Sequence, residues 1–146
     1  MSSLIHPSHI IAALSATSKR GALAEMAGLL ADFDQDALQV ALLDREAVGS
    51  TAIEPGIAVP HAKPAAAQEV EVCFTRSRAG IQWGAPDRHL VHLIFLMVAP
   101  GSASEQYLLT LATLCRFLRH RNNRSLRMNA TDDELVTFLA AAKELQ

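Results

Sequence analysis

The stretch from Val91 to Val98 limits the possible folds of this chain most strongly. Its residues, VHLIFLMV, place apolar side chains on both faces of an extended strand. A strand that is apolar on both faces has to be covered on both sides, which is the situation of a central strand in a sheet flanked by helices. The turn-forming run Ala99-Pro100-Gly101 follows and is expected to end the strand.

Helical patterns lie on both sides of this strand. Apolar residues recur there at helical spacing, and residues that can cap a helix precede most of the segments. The helices predicted before the strand are Pro7 to Leu14, Lys19 to Ala31 after Ser18, and Gln35 to Ala47 between Asp34 and Gly49. Those predicted after it are Glu105 to Arg119 after Ser104, one or two turns within Asn122 to Met128, and a helix to about Lys143 that opens with the capping box Thr131-Asp132-Asp133-Glu134 and buries Leu135, Phe138 and Leu139.

Three shorter segments are predicted to be extended. They are Ile57 to Val59, Val70 to Thr75 and Ala79 to Gly84. The second alternates apolar and polar residues, which is typical of a half-buried strand. Helices, then strands, then helices predict an α/β or α+β class with one mixed sheet covered by helices. A length of 146 residues, half of them apolar, predicts a single domain over residues 1–146.

Composition excludes several classes of protein. The formal net charge of −2 provides no basic footprint for a nucleic acid. The longest apolar run, Leu93 to Ala99, is too short to cross a bilayer, and the N-terminal MSSLIHPSHI lacks the basic start of a signal peptide. Cys73 and Cys115 stand outside any CxxC pattern and are interpreted as buried thiols of a reducing compartment. The expectation is a soluble, cytoplasmic protein without direct membrane insertion.

The segment Thr51 to Lys63, TAIEPGIAVPHAK, is the strongest candidate for a functional site. Pro55 and Gly56 predict a tight turn, and a short buried strand follows. Because Pro60 has no N–H, that strand should end there and present His61 at its mouth. Chemistry in α/β folds is often performed at such strand ends. The alternative interpretation of His61 is an ordinary surface histidine.

Other chemistries lack their sequence patterns. His89 and His92 have no second pair of metal-ligand spacing, and the chain contains no GxSxG, GxxxxGK[ST] or GxGxxG motif. We therefore expect neither a metal nor a cofactor. A hydrolase that uses His61 as a base is weakly supported, because no second catalytic group is evident. Nucleophilic imidazole remains, and it requires a nearby cation for phosphoryl oxygens. Arg45, sixteen residues before His61, is the best local candidate.

Two runs carry a family resemblance. Arg45 to Thr51, REAVGST, followed by Gly56 to Lys63, GIAVPHAK, resembles the signature of phosphotransferase-system enzyme IIA domains. The type is mannitol/fructose, which includes the nitrogen-regulatory IIA proteins. Gly80 to Gly84 and the strand that ends at Pro100 resemble further family segments. The resemblance extends from about Leu4 to Leu139.

The resemblance implies a mixed five-stranded sheet flanked by helices. It also implies that His61 is phosphorylated by a phosphohistidine on a small HPr-like carrier, and that Arg45 supports the phosphoryl group. Phosphorylation in the family is on Nε2, whereas the residues alone do not choose between the two ring nitrogens.

One position departs from the family. Members commonly carry a second active-site histidine at the start of the helix after the strand, in a pattern like H-[LI]-x-x-L, and the expected position here is Gln106, followed by Tyr107. An amide can donate a hydrogen bond to a phosphoryl oxygen, but it cannot become a cation. The resulting expectation is an accessible His61 with the Arg45 guanidinium and the Gln106 amide near its ring.

Three functions remain open. The first is a phosphohistidine carrier in a regulatory, nitrogen-type role, with an HPr-like donor and a regulated target protein. The second is a sugar-specific IIA component that serves the IIB domain of a separate fructose- or mannitol-type permease. The third is a regulator that binds other proteins without being phosphorylated.

Overall fold

The predicted central strand is present as β6, in the middle of one mixed sheet. The computed structural model describes residues 4–119 and 130–141. Every residue of β6 except His92 is buried. The strands are β1 (Ile10–Ile11), β2 (Ala52–Glu54), β3 (Ile57–Ala58), β4 (His61–Ala62), β5 (Glu71–Ile81) and β6 (Val91–Val98).

The sheet contains six strands but is five strands wide. Its order is β1-β5-β6-β3-β2, with the β1–β5, β3–β6 and β4–β6 pairs parallel and the β5–β6 and β2–β3 pairs antiparallel. β3 and β4 lie one after the other along the same edge of β6, with Ile57 opposite Leu93 and His61 opposite Met97. The mixed sheet implied by the resemblance is therefore confirmed, with one of its five positions divided between two short strands.

Helices cover both faces of this sheet. They are α1 (Lys19–Ala27), α2 (Gln35–Val48), α3 (Ser104–Arg119) and α4 (Asp132–Ala141). Alternate side chains of β6 belong to two cores, as the apolar pattern predicts. One core contains residues of α3 and α4 with Leu93, Phe95 and Met97, and the other contains residues of α1 and α2 with Ile94, Leu96 and Val98. None of the four helices in the described part of the chain is long and apolar enough to cross a bilayer.

The predicted helix starts are largely confirmed. Ser18 accepts a hydrogen bond from the Gly21 amide, and Asp34 accepts one from the Ala37 amide. The Thr131 hydroxyl accepts one from the Glu134 amide, as in a capping box. Three bounds differ. α1 ends at Ala27 rather than Ala31, α2 ends at Val48 rather than Ala47, and α3 begins at Ser104 itself, one residue before the predicted first position.

Three predictions were wrong. The segment Pro7 to Leu14 forms a 3-10 turn and then β1, because Ile10 and Ile11 pair with β5 instead of continuing a helix. β5 extends beyond the predicted range Val70 to Thr75, and it is buried on both faces from Val72 to Ser77. It is buried there because it lies beside β6, between the two layers of helices. Phe138, predicted to be buried, is 37% exposed. The turns expected within Asn122 to Met128 and the end near Lys143 lie outside the described residues.

Candidate functional site

His61 begins β4, beside the central strand. Gly56, with φ of 84°, completes the turn that leads into β3. β3 stops at Ala58, and pairing with β6 resumes only at His61, because Pro60 has no N–H for the ladder. The Pro60 carbonyl still accepts a hydrogen bond from the Met97 amide at 2.9 Å. The strand therefore ends before Pro60 as predicted, and it presents a half-buried His61.

Two neighbours determine the protonation of the His61 ring. Nδ1 lies 3.1 Å from the Val59 carbonyl oxygen, and Nε2 lies 3.1 Å from Nε of Arg45. A carbonyl only accepts hydrogen bonds, and a guanidinium only donates them. Nδ1 must therefore carry the proton, and Nε2 must present its lone pair. The ring is the neutral Nδ1–H tautomer, with its nucleophilic atom directed towards a cation.

The surroundings keep this imidazole unprotonated near neutral pH. Burial, the largest effect, lowers the pKa of His61 below its ordinary value. The positive charges of Arg45 and Lys63 also lower it, whereas the Val59 hydrogen bond and the negative charge of Glu46 raise it. A neutral imidazole retains the lone pair that a nucleophile needs.

An NMR titration should give a His61 midpoint below about 6.5, the ordinary histidine value. The unfolded chain then binds the proton more tightly than the folded chain. Stability conferred by His61 is therefore complete above about pH 6.5 and is lost as pH falls through the folded-state pKa. The same titration of the His61→Ala variant assigns the resonance. A midpoint at or above about 6.5 would show that the ring is not desolvated as the structure indicates.

Arg45 reaches His61 from the last turn of α2. Its Nη1 donates to the Gly49 carbonyl oxygen at 2.9 Å, while its Nε donates to the His61 ring. A cation is favoured at the C-terminal end of a helix, where unpaired carbonyl groups concentrate negative potential. The expectation that Arg45 and His61 lie together is confirmed by this geometry.

A buried carboxylate supports the same loop. Glu46 is 8% exposed, and its Oε2 lies 2.6 Å from Nζ of Lys19. Its two oxygens also accept hydrogen bonds from the hydroxyl and the amide of Thr51. The Thr51 carbonyl oxygen in turn accepts from the Val59 amide at 3.0 Å, and the Val59 carbonyl holds His61. Glu46 thus anchors a backbone path that ends at the imidazole.

Replacing Glu46 by alanine should lower the free energy of unfolding by about 3 kcal/mol, because it leaves a partly buried ammonium and a buried amide without their carboxylate. Urea unfolding followed by the fluorescence of Trp83 measures this. Lys19 lies 5.1 Å over the Trp83 ring, so the probe adjoins the perturbed contact. Asp44→Ala, an exposed change in the same helix, is the control and should stay within about 0.5 kcal/mol. Equal losses in both variants would rule out the anchoring role of Glu46.

The first turn of α3 brings an aromatic ring to the site. The Tyr107 and His61 ring centroids are 5.1 Å apart, and Lys63 Nζ lies 5.2 Å over the Tyr107 ring. Gln106 is exposed, and no hydrogen bond joins its amide to His61 in the described part of the chain. Tyr107 therefore occupies the place beside His61 that was expected for Gln106. A pattern of the form H-[LI]-x-x-L that ends at Leu111 in fact begins at residue 107.

Neither a metal cluster nor a reactive thiol at Cys73 is found in the described residues. Within residues 4–119 and 130–141, no group of three or more histidine, cysteine or acidic side chains could hold a metal ion. Cys73 is buried in the core, and burial, with a smaller effect of Glu71, raises the pKa of its thiol to about 12. A thiol with that pKa is a poor nucleophile. Glu46, Lys63 and Tyr107 were not identified as site residues from the sequence.

Comparison with known proteins gives concordant matches. The family model described as "Phosphoenolpyruvate-dependent sugar phosphotransferase system, EIIA 2" matches residues 3–142. A nitrogen regulatory protein of Bradyrhizobium diazoefficiens is 33% identical over 141 residues, which cover 94% of this chain and 92% of that protein. The fructose-specific EIIA component of the phosphotransferase system of Haloferax volcanii is 34% identical over 128 residues, covering 85% and 83% of the two chains.

A solved structure has the same fold. The nitrogen regulatory protein IIA-Ntr of Neisseria meningitidis matches with a TM-score of 0.83 and 28% identity, over 93% of this chain and 96% of that one. The family match covers nearly the whole chain, including the helices, the sheet and the segment around His61. The chain therefore belongs to the EIIA 2 family of the phosphoenolpyruvate-dependent sugar phosphotransferase system.

Proposed function

We propose that His61 is a phosphoryl carrier whose Nε2 accepts the group from a phosphohistidine on an HPr-like protein. The observation that carries this proposal is the pair of 3.1 Å contacts of the His61 ring, Nδ1 with the Val59 carbonyl oxygen and Nε2 with Nε of Arg45, because together they favour a proton on Nδ1 and a lone pair on Nε2. The N–P bond of the donor breaks, and its electron pair returns to the donor nitrogen. The Nε2–P bond forms while Nδ1 keeps its proton. Arg45 neutralises part of the phosphoryl charge.

The role that we favour for this carrier is regulatory. Support comes from the nitrogen regulatory proteins among the relatives and from the IIA-Ntr structure, with its TM-score of 0.83. A phosphoryl group adds about −1.5 to −2 charges at an accessible ring and so changes which protein surfaces can dock there. The regulated partner would then distinguish the phosphorylated form from the free form.

A sugar-specific role is the alternative. The fructose-specific EIIA component of Haloferax volcanii is as similar to this chain, at 34% identity, as the nitrogen regulatory relative. In that role His61 would pass the phosphoryl group to the IIB domain of a separate permease.

The test is incubation with phosphoenolpyruvate, enzyme I and an HPr-like carrier, followed by intact-protein mass spectrometry. The expected product carries one phosphoryl group that is labile in acid and stable in base. Absence of this product with several carriers would contradict the proposed function and leave a protein-binding role. Loss of the label on addition of a fructose-type IIB domain would favour the sugar-specific alternative, whereas retention would favour regulation.

A further inference from the structure

A second cation lies close to His61 on the same face of the sheet edge. His61 and Lys63 flank Ala62, which is buried at 6% exposure. Side chains two residues apart in extended backbone point to the same side, so His61 and Lys63 share one side. Tyr107 contacts both, with its ring centroid 5.1 Å from that of His61 and 5.2 Å from Nζ of Lys63.

Lys63 is held in place without neutralisation of its charge. Its Nζ lies over the Tyr107 ring and 3.5 Å from the Ser104 hydroxyl, and both of these partners are uncharged. In residues 4–119 and 130–141, Lys63 has no carboxylate within ion-pair distance. Lys19, by contrast, is paired with Glu46 at 2.6 Å. A positioned ammonium with no acidic partner next to a nucleophile is suited to an anionic ligand.

We propose that Lys63 is a second phosphoryl-binding cation and that Tyr107 positions it. This inference rests on the proposed acceptance of a phosphoryl group by His61. An ammonium carries three donors on a flexible stem and can follow a phosphoryl oxygen. Arg45 already contacts Nε2, and Lys63 adds a second positive charge to the same site. Two cations match the charge of about −2 on a phosphoryl group.

Tyr107 acts through its ring. The electron-rich face of an aromatic ring attracts a cation, an interaction of about 0.5–1 kcal/mol at exposed sites. The side chain is half-buried, and burial raises the pKa of its hydroxyl above the ordinary value, so the ring remains neutral. Phenylalanine at position 107 should therefore hold Lys63, whereas leucine should not.

The test uses phosphoramidate, a small phosphoryl donor that needs no protein docking. Its P–N bond breaks, ammonia leaves with its protons, and the Nε2–P bond forms on His61. Mass spectrometry gives the rate of phosphorylation for the intact chain. Lys63→Met should react about tenfold more slowly than the wild type, and Lys63→Arg should recover most of the rate.

Two further variants separate positioning from simple packing. Tyr107→Phe should react like the wild type, and Tyr107→Leu should be about two- to fivefold slower. The matched control is Arg116→Met, which removes an exposed cation that lies about 14 Å from Tyr107 along α3. It should keep the wild-type rate.

A second readout is the pKa of His61, measured by NMR. The charged groups that act on it are Arg45, Glu46 and Lys63. Removal of Lys63 should raise this pKa relative to the wild type, because one of the two cations that lower it is lost. A packing defect alone would not raise the pKa of His61 in Lys63→Met and leave it near the wild-type value in Lys63→Arg.

Equal phosphoramidate rates for the wild type, Lys63→Met and Arg116→Met would overturn the assignment of Lys63. Equal rates for Tyr107→Leu and Tyr107→Phe would overturn the positioning role of Tyr107. Phosphorylation of the wild type by an HPr-like carrier would in those cases leave the proposed function standing. A wild-type protein that accepts no phosphoryl group from either donor would overturn both proposals.

Discussion

The His61→Ala variant is expected to take up no phosphoryl group from an HPr-like carrier or from phosphoramidate. The substitution removes the only imidazole that residues 4–119 and 130–141 place beside Arg45, and with it the Nε2 lone pair that faces Arg45 at 3.1 Å. Neither the Arg45 guanidinium, which cannot lose its proton, nor the Tyr107 hydroxyl, whose pKa is raised by burial, can replace it near neutral pH. The loss should therefore be complete rather than partial.

The control for this variant is His89→Ala. His89 is a histidine with a 64% exposed side chain, paired with Asp87 in the loop between β5 and β6. It is accessible to a phosphoryl donor but has no cation placed against a ring nitrogen in the described residues. The control should be phosphorylated at the wild-type rate. A phosphoryl group that persists in His61→Ala but disappears in His89→Ala would contradict the assignment of the site.

The location of the site could be predicted from the sequence because local rules determine it. Pro60 interrupts the ladder between β3 and β6, so the residue that follows it, His61, is the first that can pair again. The last turn of α2 and the following loop are short, so Arg45 cannot lie far from the end of β3. The two cores were also foreseeable, since the apolar pattern of β6 requires cover on both faces.

The features that were not predicted depend on tertiary contacts. The proton on Nδ1 is held by the Val59 carbonyl, and no sequence pattern reveals where that carbonyl points. Glu46 is an acid near a helix C-terminus, where negative charge is unfavourable, and this could have signalled a buried partner. That partner, Lys19, lies in another helix.

Two other limits of prediction from the sequence concern the segment Pro7 to Leu14 and the start of α3. Pro7 and Ser8 fit the first turn of a helix, but the β-branched residues Ile10 and Ile11 pair with β5 as an edge strand. The local sequence does not decide between a helix and a strand for this segment. In α3, a displacement of one residue selected Gln106 instead of Tyr107. Because one residue rotates a helix by about 100°, such a shift turns a side chain away from the site.

The second large effect is expected at Arg45. In the free protein the Nε–H of Arg45 donates a hydrogen bond to the lone pair of Nε2. In an in-line attack, the same lone pair has to be directed at the phosphorus atom instead. In the proposed transfer, Arg45 would therefore have to leave the ring nitrogen. The negative charge of the incoming phosphoryl group attracts the guanidinium, so its hydrogen bond can move from Nε2 to a phosphoryl oxygen. Arg45 would protect the nucleophile before transfer and neutralise charge during it.

Substitution of Arg45 by methionine separates these two roles. It exposes the lone pair, which by itself would speed the reaction, but it also removes a permanent cation from the transferring group. Loss of one such donor typically slows a reaction by about 10²–10³-fold. Freeing the lone pair from a single hydrogen bond should speed the reaction by less than this. Phosphorylation by phosphoramidate should therefore slow by about 100-fold, and the pKa of His61 should rise because Arg45 lowers it.

Arg45→Lys and Arg20→Met complete the experiment. Lysine restores the charge without the planar fork that contacts Nε2 and the Gly49 carbonyl together, so it should recover only part of the rate. Arg20 is exposed on α1, and its loss should leave the rate unchanged. A faster reaction in Arg45→Met would mean that this side chain only caps the nucleophile. Lys63 would then carry the charge of the phosphoryl group alone, and Lys63→Met should be the more severely impaired of the two variants.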